Sequence, residues 1–184
     1  MFHETGVAPI EVEGAAGIQA QFGALAEHGS RTSRIVQDTL ALLDEGCHPL
    51  VLTERVEHLQ TLEAELRPHV PDLIVLKGGE TAKRRKAKGV ELGNLGDNDR
   101  WVILATGRYI GEGFDEPRLD ALVLAMPISW KGTLTQYAGR ILRHHPGKSK
   151  VRILDYVDEG RLLQSMARKR RVVWRALGFR QVVG

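Results

Sequence analysis

Short apolar segments recur along the chain, and longer amphipathic segments separate them. The short segments do not alternate between apolar and polar positions, which is typical of strands buried on both faces, as in a parallel sheet. The predicted strands cover residues 50–53, 73–76, 102–105, 121–125 and 151–156.

The intervening segments place apolar residues three and four positions apart, which is the spacing of a helix with one buried face. In residues 55–67, for example, the stripe consists of Val56, Leu59, Leu62 and Leu66. Strands that alternate with such helices predict an α/β fold in which helices flank a mainly parallel central sheet. The predicted helices cover residues 16–27, 31–45, 55–67, 81–92 and a final segment from Asp158 or Glu159 to residue 177.

The pattern is less regular over residues 1–30. Val7, Ile10 and Val12 suggest an edge strand, and Pro9 argues against a central one because proline cannot donate to a sheet ladder. We therefore expect two parts, a connector with a flanking helix over residues 1–30 and an α/β domain over residues 31–184.

The composition is that of a soluble globular protein, with 42% hydrophobic and 27% charged residues over 184 positions. No apolar segment approaches the ~18 residues of a membrane-spanning helix, and residues 1–4 lack the pattern of a secretory signal. Cys47 is the only cysteine, so no disulfide can form within the chain, which fits a reducing cytoplasm. We expect the isolated domain to be a monomer without a membrane partner. The net charge of +3 permits nucleic-acid binding without requiring it.

The candidate chemistry lies where two predicted strands end. Ligands of parallel α/β sheets bind beyond the carboxyl ends of the strands. Residues 106–115 directly follow one strand, and residues 136–143 belong to a short helix after the next strand, which Thr133 or Thr135 would cap. We therefore expect both segments at the same edge of the sheet.

Arg140 and Arg143 are suited to a polyphosphate. Being three positions apart on a helix, they share one face. Their guanidinium groups are planar, always charged and rich in donors for phosphate oxygens. Gln136 lies one turn earlier, where it would orient a water molecule or a phosphate oxygen, and Gly139 leaves room for a close approach.

A purely structural interpretation of the two arginines stays open. Surface arginines are common, and Asp115 or Asp120 would be suitable salt-bridge partners.

Tyr109 is the best-placed aromatic residue for stacking on a base. The predicted helix over residues 81–92 leaves a similar choice, because a solvated face and a phosphate contact both suit Lys83, Arg84, Arg85, Lys86 and Lys88.

Four segments resemble sequence motifs of the superfamily-two helicases. Residues 105–115, ATGRYIGEGFD, resemble motif V, and residues 136–143, QYAGRILR, match the motif VI pattern QxxGRxxR at every fixed position. Residues 50–55, LVLTER, resemble motif IV, and residues 76–79, LKGG, resemble the short motif after the next strand. The motifs stand in the family's order, and the resemblance covers about residues 31–158.

The resemblance is to the C-terminal, second RecA-like domain of these enzymes, which implies a three-layer RecA-like fold. It departs from the DEAD-box RNA helicases. Lys77 stands where many relatives have histidine, Gly107 replaces an aspartate, and the spacing from Thr106 to Asp115 is one residue longer. The chain is more similar to DNA helicases and translocases of restriction and repair, which implies DNA as the nucleic-acid partner.

The resemblance also implies roles for individual residues. Arg140 and Arg143 would act as arginine fingers on the γ-phosphate of ATP, supported by Gln136, across a cleft between two domains. The other nucleotide contacts would be Gly113, Gly139 and, at the ribose, Asp115. Hydroxyl or backbone contacts to nucleic-acid phosphates would come from Thr53, Arg55, Gly78, Gly79, Thr106, Gly107 and Arg108.

Two motifs that ATP hydrolysis requires are absent from the sequence. It contains no GxxxxGK[ST] phosphate-binding loop and no acidic pair placed to hold Mg²⁺. ATP and Mg²⁺ would therefore be bound mainly by a first RecA-like domain, in the same chain or in a separate one. For this chain alone we expect no metal site and negligible ATPase activity.

Two other classes of function stay in view. One is a non-catalytic regulatory remnant that binds nucleic acid or nucleotide on a RecA-like scaffold, although an intact motif VI argues against it. The other is a self-sufficient nucleotide-binding enzyme of the doubly wound type. The spacing of Gly107, Gly111 and Gly113 does not match GxGxxG, which disfavours this class.

Overall fold

The computed structural model describes residues 1–8, 14–111 and 114–181. These residues form one six-stranded sheet in which all neighbouring strands are parallel. The strands are β1 (Phe2–Glu4), β2 (Pro49–Thr53), β3 (Asp72–Leu76), β4 (Trp101–Thr106), β5 (Ala121–Leu124) and β6 (Arg152–Val157). Their order across the sheet is β1-β6-β5-β2-β4-β3, so β5 and β2 lie at its centre.

Helices cover both faces of the sheet. The helices in the described residues are α1 (Gly14–Glu27), α2 (Gly29–Asp44), α3 (Val56–Leu66), α4 (Ala82–Gly93), α5 (Gly107–Gly111), α6 (Lys131–Ile141) and α7 (Arg161–Ala176). Successive strand residues face opposite sides, so Val51 packs into a core with α2 and α3, whereas Leu50 packs into a core with α4 to α7. None of these helices is long and apolar enough to span a membrane. The predicted three-layer α/β fold is confirmed.

The N-terminal segment adds a strand to this sheet. The strand forms at Phe2–Glu4 and pairs with β6, whereas the sequence suggests a strand near Val7. Ile10 and Val12 lie outside the described residues. Residues 2–4 therefore form an edge strand of the sheet, a few residues before the position that the sequence suggested.

The start of α6 corrects a second expectation. The helix begins at Lys131 with Trp130 at its N-cap position, and no side chain caps it. Thr133 and Thr135, the predicted caps, lie within the helix, and the Thr135 hydroxyl donates 2.9 Å to the carbonyl oxygen of Lys131 one turn earlier. The short helix α5 was not predicted, since five residues are too few to show a helical period.

Two buried arginines fix the loop that leads from β5 into α6. Arg31 pairs with Asp158 at 2.8 Å and also donates to the carbonyl oxygen of Ala125 at 2.7 Å. Arg170 pairs with Asp155 at 2.7 Å and donates to the carbonyl oxygen of Ile128. Buried pairs of this kind become costly when one partner is removed. The loop position therefore depends on α2 and α7, which lie near opposite ends of the chain.

Candidate functional site

The candidate residues meet at the carboxyl edge, by which we mean the edge of the sheet where its strands end. Strands β5, β2 and β4 are neighbours. Glu54 directly follows β2, Gly107 directly follows β4, and α6 comes after β5. The predicted meeting of residues 106–115 with residues 136–143 is confirmed by contacts between α5 and α6.

Gly107 lies against a hydrogen bond between Glu54 and Tyr137. The Tyr137 hydroxyl donates to Glu54 Oε1 at 3.0 Å. A Cβ atom at Gly107 would lie 2.9 Å from Glu54 Cδ, and closer still to Glu54 Oε1 and Tyr137 Oη. Only glycine fits here without moving either side chain. This point joins the ends of two strands to α6.

The environment of this hydrogen bond keeps Tyr137 as the donor. Burial raises the pKa of Tyr137 above its usual range, and the nearby Glu54 carboxylate raises it further. Desolvation raises the pKa of Glu54, while the hydrogen bond from Tyr137 lowers it. Sequence reasoning selected neither residue. The available signals were that Glu54 directly follows a strand and that Tyr137 lies one turn before Arg140.

Arg140 and Arg143 make different contacts with the segment that follows β4. Arg140 Nη2 donates to the carbonyl oxygen of Ile110 at 3.1 Å, while its buried Nε has no hydrogen-bond partner within the described residues. Arg143 forms a salt bridge with Asp115, and the side chains are 43% and 53% exposed. The salt-bridge alternative is thus confirmed for Arg143. Asp120 instead accepts from the His48 backbone N–H at 2.7 Å.

The relative placement of the two arginines corrects the sequence prediction. Helix α6 ends at Ile141, so Arg140 lies in its last turn and Arg143 lies two residues beyond its end. They do not share a helical face as the spacing suggested. They still contact the same segment, because Arg140 donates to the carbonyl oxygen of Ile110 and Arg143 pairs with Asp115.

The remaining predicted nucleotide contacts lie beside these arginines or outside the described residues. Gln136 and Gly139 are exposed on α6. A Cβ atom at Gly139 would meet no atom within 4 Å, so the space beside it is open. Gly113 lies outside the described residues.

The hydroxyl of Thr53 is used inside the fold. Thr53 is 0% exposed. The hydroxyl lies 3.1 Å from His58 Nδ1 and accepts from the Arg55 backbone N–H at 3.4 Å. Burial lowers the pKa of His58 to about 3, so the imidazole is neutral at pH 7. Thr53 therefore holds the start of α3 in place.

Thr106 and Gly78 are joined directly. The Gly78 backbone N–H donates to Thr106 Oγ1 at 3.0 Å, which ties the end of β3 to the end of β4. Gly79 follows with φ +84°, in the left-handed region that favours glycine. Arg55 donates to Gln19 at 3.3 Å. The side chain of Arg108 lies outside the described part of the chain.

Helix α4 carries most of the predicted basic surface. Leu92 is the only one of its residues that is buried, and Lys83, Arg84, Arg85 and Lys86 are exposed. Lys88 differs, because its ammonium group binds Glu80 and the carbonyl oxygen of Val75. The exposed face of α4 is therefore a candidate phosphate contact, whereas Lys88 anchors the helix to β3.

The aromatic residue on the exposed surface of this edge is not the predicted one. Tyr109 is half-buried and packs on Phe114, with ring centroids 6.4 Å apart. Trp130, at the start of α6, is 77% exposed. Apolar patterning did not single out Trp130 because it lies in a loop.

Within the described residues, no group of three or more His, Cys, Asp or Glu side chains is placed to hold a metal ion.

Comparison with known proteins places this geometry in a familiar fold. No family model matches the chain. It is 28% identical over 122 residues to the transcript termination protein A18 of fowlpox virus, which covers 65% of this chain and 26% of that protein. Among solved structures it is similar to UvsW of T4, with a TM-score of 0.70 and 16% identity over 95% of this chain and 39% of that one.

Two further structures show the same likeness. The SWI2/SNF2 ATPase core domain of Sulfolobus solfataricus matches with a TM-score of 0.69 and 12% identity, covering 100% of this chain and 44% of that one. The E. coli DEAD-box protein SrmB matches with a TM-score of 0.59 and 17% identity, covering 90% of this chain and 81% of that one. The chain has the fold of a helicase C-terminal RecA-like domain. The chain spans about a quarter of A18 and less than half of UvsW and the SWI2/SNF2 core.

Proposed function

We propose that this RecA-like domain is the second domain of an ATP-dependent DNA helicase or translocase. In this proposal a first RecA-like domain holds ATP and Mg²⁺, and this chain supplies arginine fingers and part of the nucleic-acid track. The motif VI match and the helicase-type fold support it. The observation that carries it is that Arg140 and Arg143 both contact the segment that follows β4, through Ile110 and Asp115 respectively.

The contacts of the two arginines are suited to exchange for a phosphate. Half-exposed ion pairs contribute only about 0–1 kcal/mol, because water screens them. The Arg143–Asp115 pair is of this kind. A γ-phosphate carries more charge than Asp115 and offers more acceptor oxygens. Closure of the two domains would therefore transfer the Arg143 guanidinium from Asp115 to the phosphate at little cost.

Arg140 has an unused donor for the same purpose. Its Nη2 is engaged by the carbonyl oxygen of Ile110, but its buried Nε has no partner within the described residues. An unsatisfied buried donor costs free energy that a ligand oxygen would recover. Gln136 on the exposed side of α6 would orient the attacking water, and Asp115, once released, would approach the ribose.

The nucleic acid would cross the ends of β2, β4 and β3. Thr106 Oγ1 accepts from Gly78, which leaves the Thr106 hydroxyl hydrogen for a phosphate oxygen. Thr53 is fully buried, so in this proposal it would hold the end of β2 and the start of α3 behind the track. The exposed basic face of α4 and the guanidinium group of Arg55 would add charge along the track.

ATP turnover in an enzyme containing both RecA-like domains, in one chain or in two, tests the proposal. Arg143→Ala and Arg140→Ala should each lower kcat by about 10³- to 10⁵-fold. Arg34→Ala is the matched control, because Arg34 is 54% exposed and pairs with Asp38 on α2. Activity of either finger variant within a few-fold of the control would refute the role of arginine fingers. This chain alone should show no ATP turnover.

A further inference from the structure

We propose that Trp130 is a stacking platform for one base of a single strand of nucleic acid. This inference rests on the proposed function, because a base reaches Trp130 only if a strand crosses the carboxyl edge. The indole is 77% exposed at the N-cap position of α6. Large aromatic side chains usually bury their area, so a Trp this exposed points to a ligand.

Trp130 forms part of the wall of an open groove of about 510 Å³. This volume lies within the ~300–1,000 Å³ that is typical of small-molecule sites. The apolar side chains of Phe22, Ile128 and Met166 also line the groove. An open groove with an exposed ring suits a flat ligand that lies on the ring face.

The same groove continues to the predicted nucleic-acid track. Glu54 and Gly107 line it at the ends of β2 and β4, and Gln136 lines it on α6. A base seated on Trp130 would therefore belong to a strand that also passes Gly107. The carboxylate of Glu54 and the amide of Gln136 offer hydrogen-bonding groups to the base edge.

Two basic residues lie next to residues that line the groove. Lys131, the next residue after Trp130, is exposed. Arg55 approaches Gly23, the residue after Phe22, and donates to Gln19. Within the described residues neither cation pairs with a carboxylate. Proteins that bind single strands without sequence preference combine stacking aromatic rings with basic residues in this way.

Tryptophan fluorescence of the 184-residue chain tests this directly. Trp101 and Trp174 are buried, with 0% and 4% exposure, so Trp130 is the one exposed tryptophan of the three. A dT oligonucleotide should quench the emission, whereas an abasic oligonucleotide with the same number of phosphates should not. Trp130→Ala should remove the quenching and weaken dT binding by about 5- to 140-fold. Trp130→Phe should retain part of the affinity.

The control is Val172→Ala, which removes an exposed apolar side chain from α7 outside the groove. It should leave both quenching and affinity unchanged. Equal affinity for dT and abasic oligonucleotides, without quenching, would overturn the stacking role while leaving phosphate-based binding intact. No binding of either oligonucleotide at low salt would overturn the nucleic-acid track itself. If Trp130→Ala weakened only the association with a first RecA-like domain, the groove would be a docking surface for protein.

Discussion

Tyr137 donates a 3.0 Å hydrogen bond to Glu54 directly over Gly107. This contact connects three segments that are far apart in sequence, namely the ends of β2 and β4 and the helix that carries Arg140. Tyr137 is 3% exposed and therefore has little freedom to move. The orientation of α6 at the carboxyl edge thus depends on the absence of a side chain at residue 107.

Gly107→Ala should destabilise the domain. The added methyl overlaps the hydrogen-bonded pair, and forced overpacking of this kind costs about 1–3 kcal/mol. Gly139→Ala is the matched control on α6, because its methyl meets open space and alanine favours a helix by about 0.5–1 kcal/mol. Urea unfolding of both variants gives the comparison. Equal stability of the two variants would show that the side chains of Tyr137 and Glu54 move aside for the methyl group without a cost in free energy.

Asp115→Asn should separate the salt bridge of Arg143 from its proposed catalytic role. The pair is about half exposed, so its loss should change the free energy of unfolding by no more than about 1 kcal/mol. In the two-domain enzyme, kcat should stay within a few-fold of wild type. KM for ATP should rise if Asp115 also contacts the ribose. A loss of kcat as large as that of Arg143→Ala would mean that the ion pair itself acts in turnover.

Binding of single-stranded DNA to this chain should weaken steeply as salt rises. Each phosphate contact contributes a slope of about −0.7 to log K against log salt concentration for single strands. Replacing both Lys83 and Arg84 by alanine should therefore make the slope shallower by about 1.4. The same charge change at Arg168 and Lys169, exposed on α7, serves as the control. Fluorescence anisotropy over a salt series measures both slopes. An equal change of slope in the two double variants would contradict the assignment of α4 as a phosphate contact.

His58 should make the domain sensitive to mild acid. Its folded pKa is about 3, below the 6.5 of a free histidine, because burial disfavours the charged ring. Between pH 3 and pH 6.5 the unfolded chain binds a proton at His58 that the folded chain does not bind. The folding stability contributed by neutral His58 is therefore fully present above pH 6.5 and is lost progressively as the pH decreases toward 3. The loss is about 1.4 kcal/mol for each pH unit.

The difference between wild type and His58→Gln isolates this contribution. Glutamine does not titrate, so the variant should lose less stability than wild type between pH 6.5 and 4, as measured by urea unfolding at several pH values. Parallel pH profiles for the two proteins would show that His58 is protonated in the folded state without cost.

Much of the fold was predictable because its strands are buried on both faces. Segments such as residues 102–105 are apolar without alternation, and this pattern identifies a parallel strand without reference to tertiary contacts. The motif VI arginines were also located from the sequence. Their geometry was not, because the end of α6 at Ile141 follows from tertiary packing, and a spacing of three implies a shared face only inside a helix.

The sequence missed residues whose roles depend on long-range contacts. Glu54 and Tyr137 are 83 positions apart and meet only after three strands have assembled. Trp130 lies in a loop without periodicity, so nothing indicated its exposure. Thr53 shows a further limit of the sequence: its motif position suggested a hydroxyl or backbone contact to a ligand, and only the fold shows that the hydroxyl lies against His58.

The two buried arginines bear on how this domain can be divided or shortened by protein engineering. Arg31 and Arg170 both donate to backbone oxygens of the loop that delivers α6 to the carboxyl edge. A truncation that removes α7, or a fusion junction that disrupts α2, would release that loop even though the cut lies far from it in sequence. Functional pieces of this domain should therefore retain both α2 and α7, and fusion sites are better chosen in the exposed turn after α4.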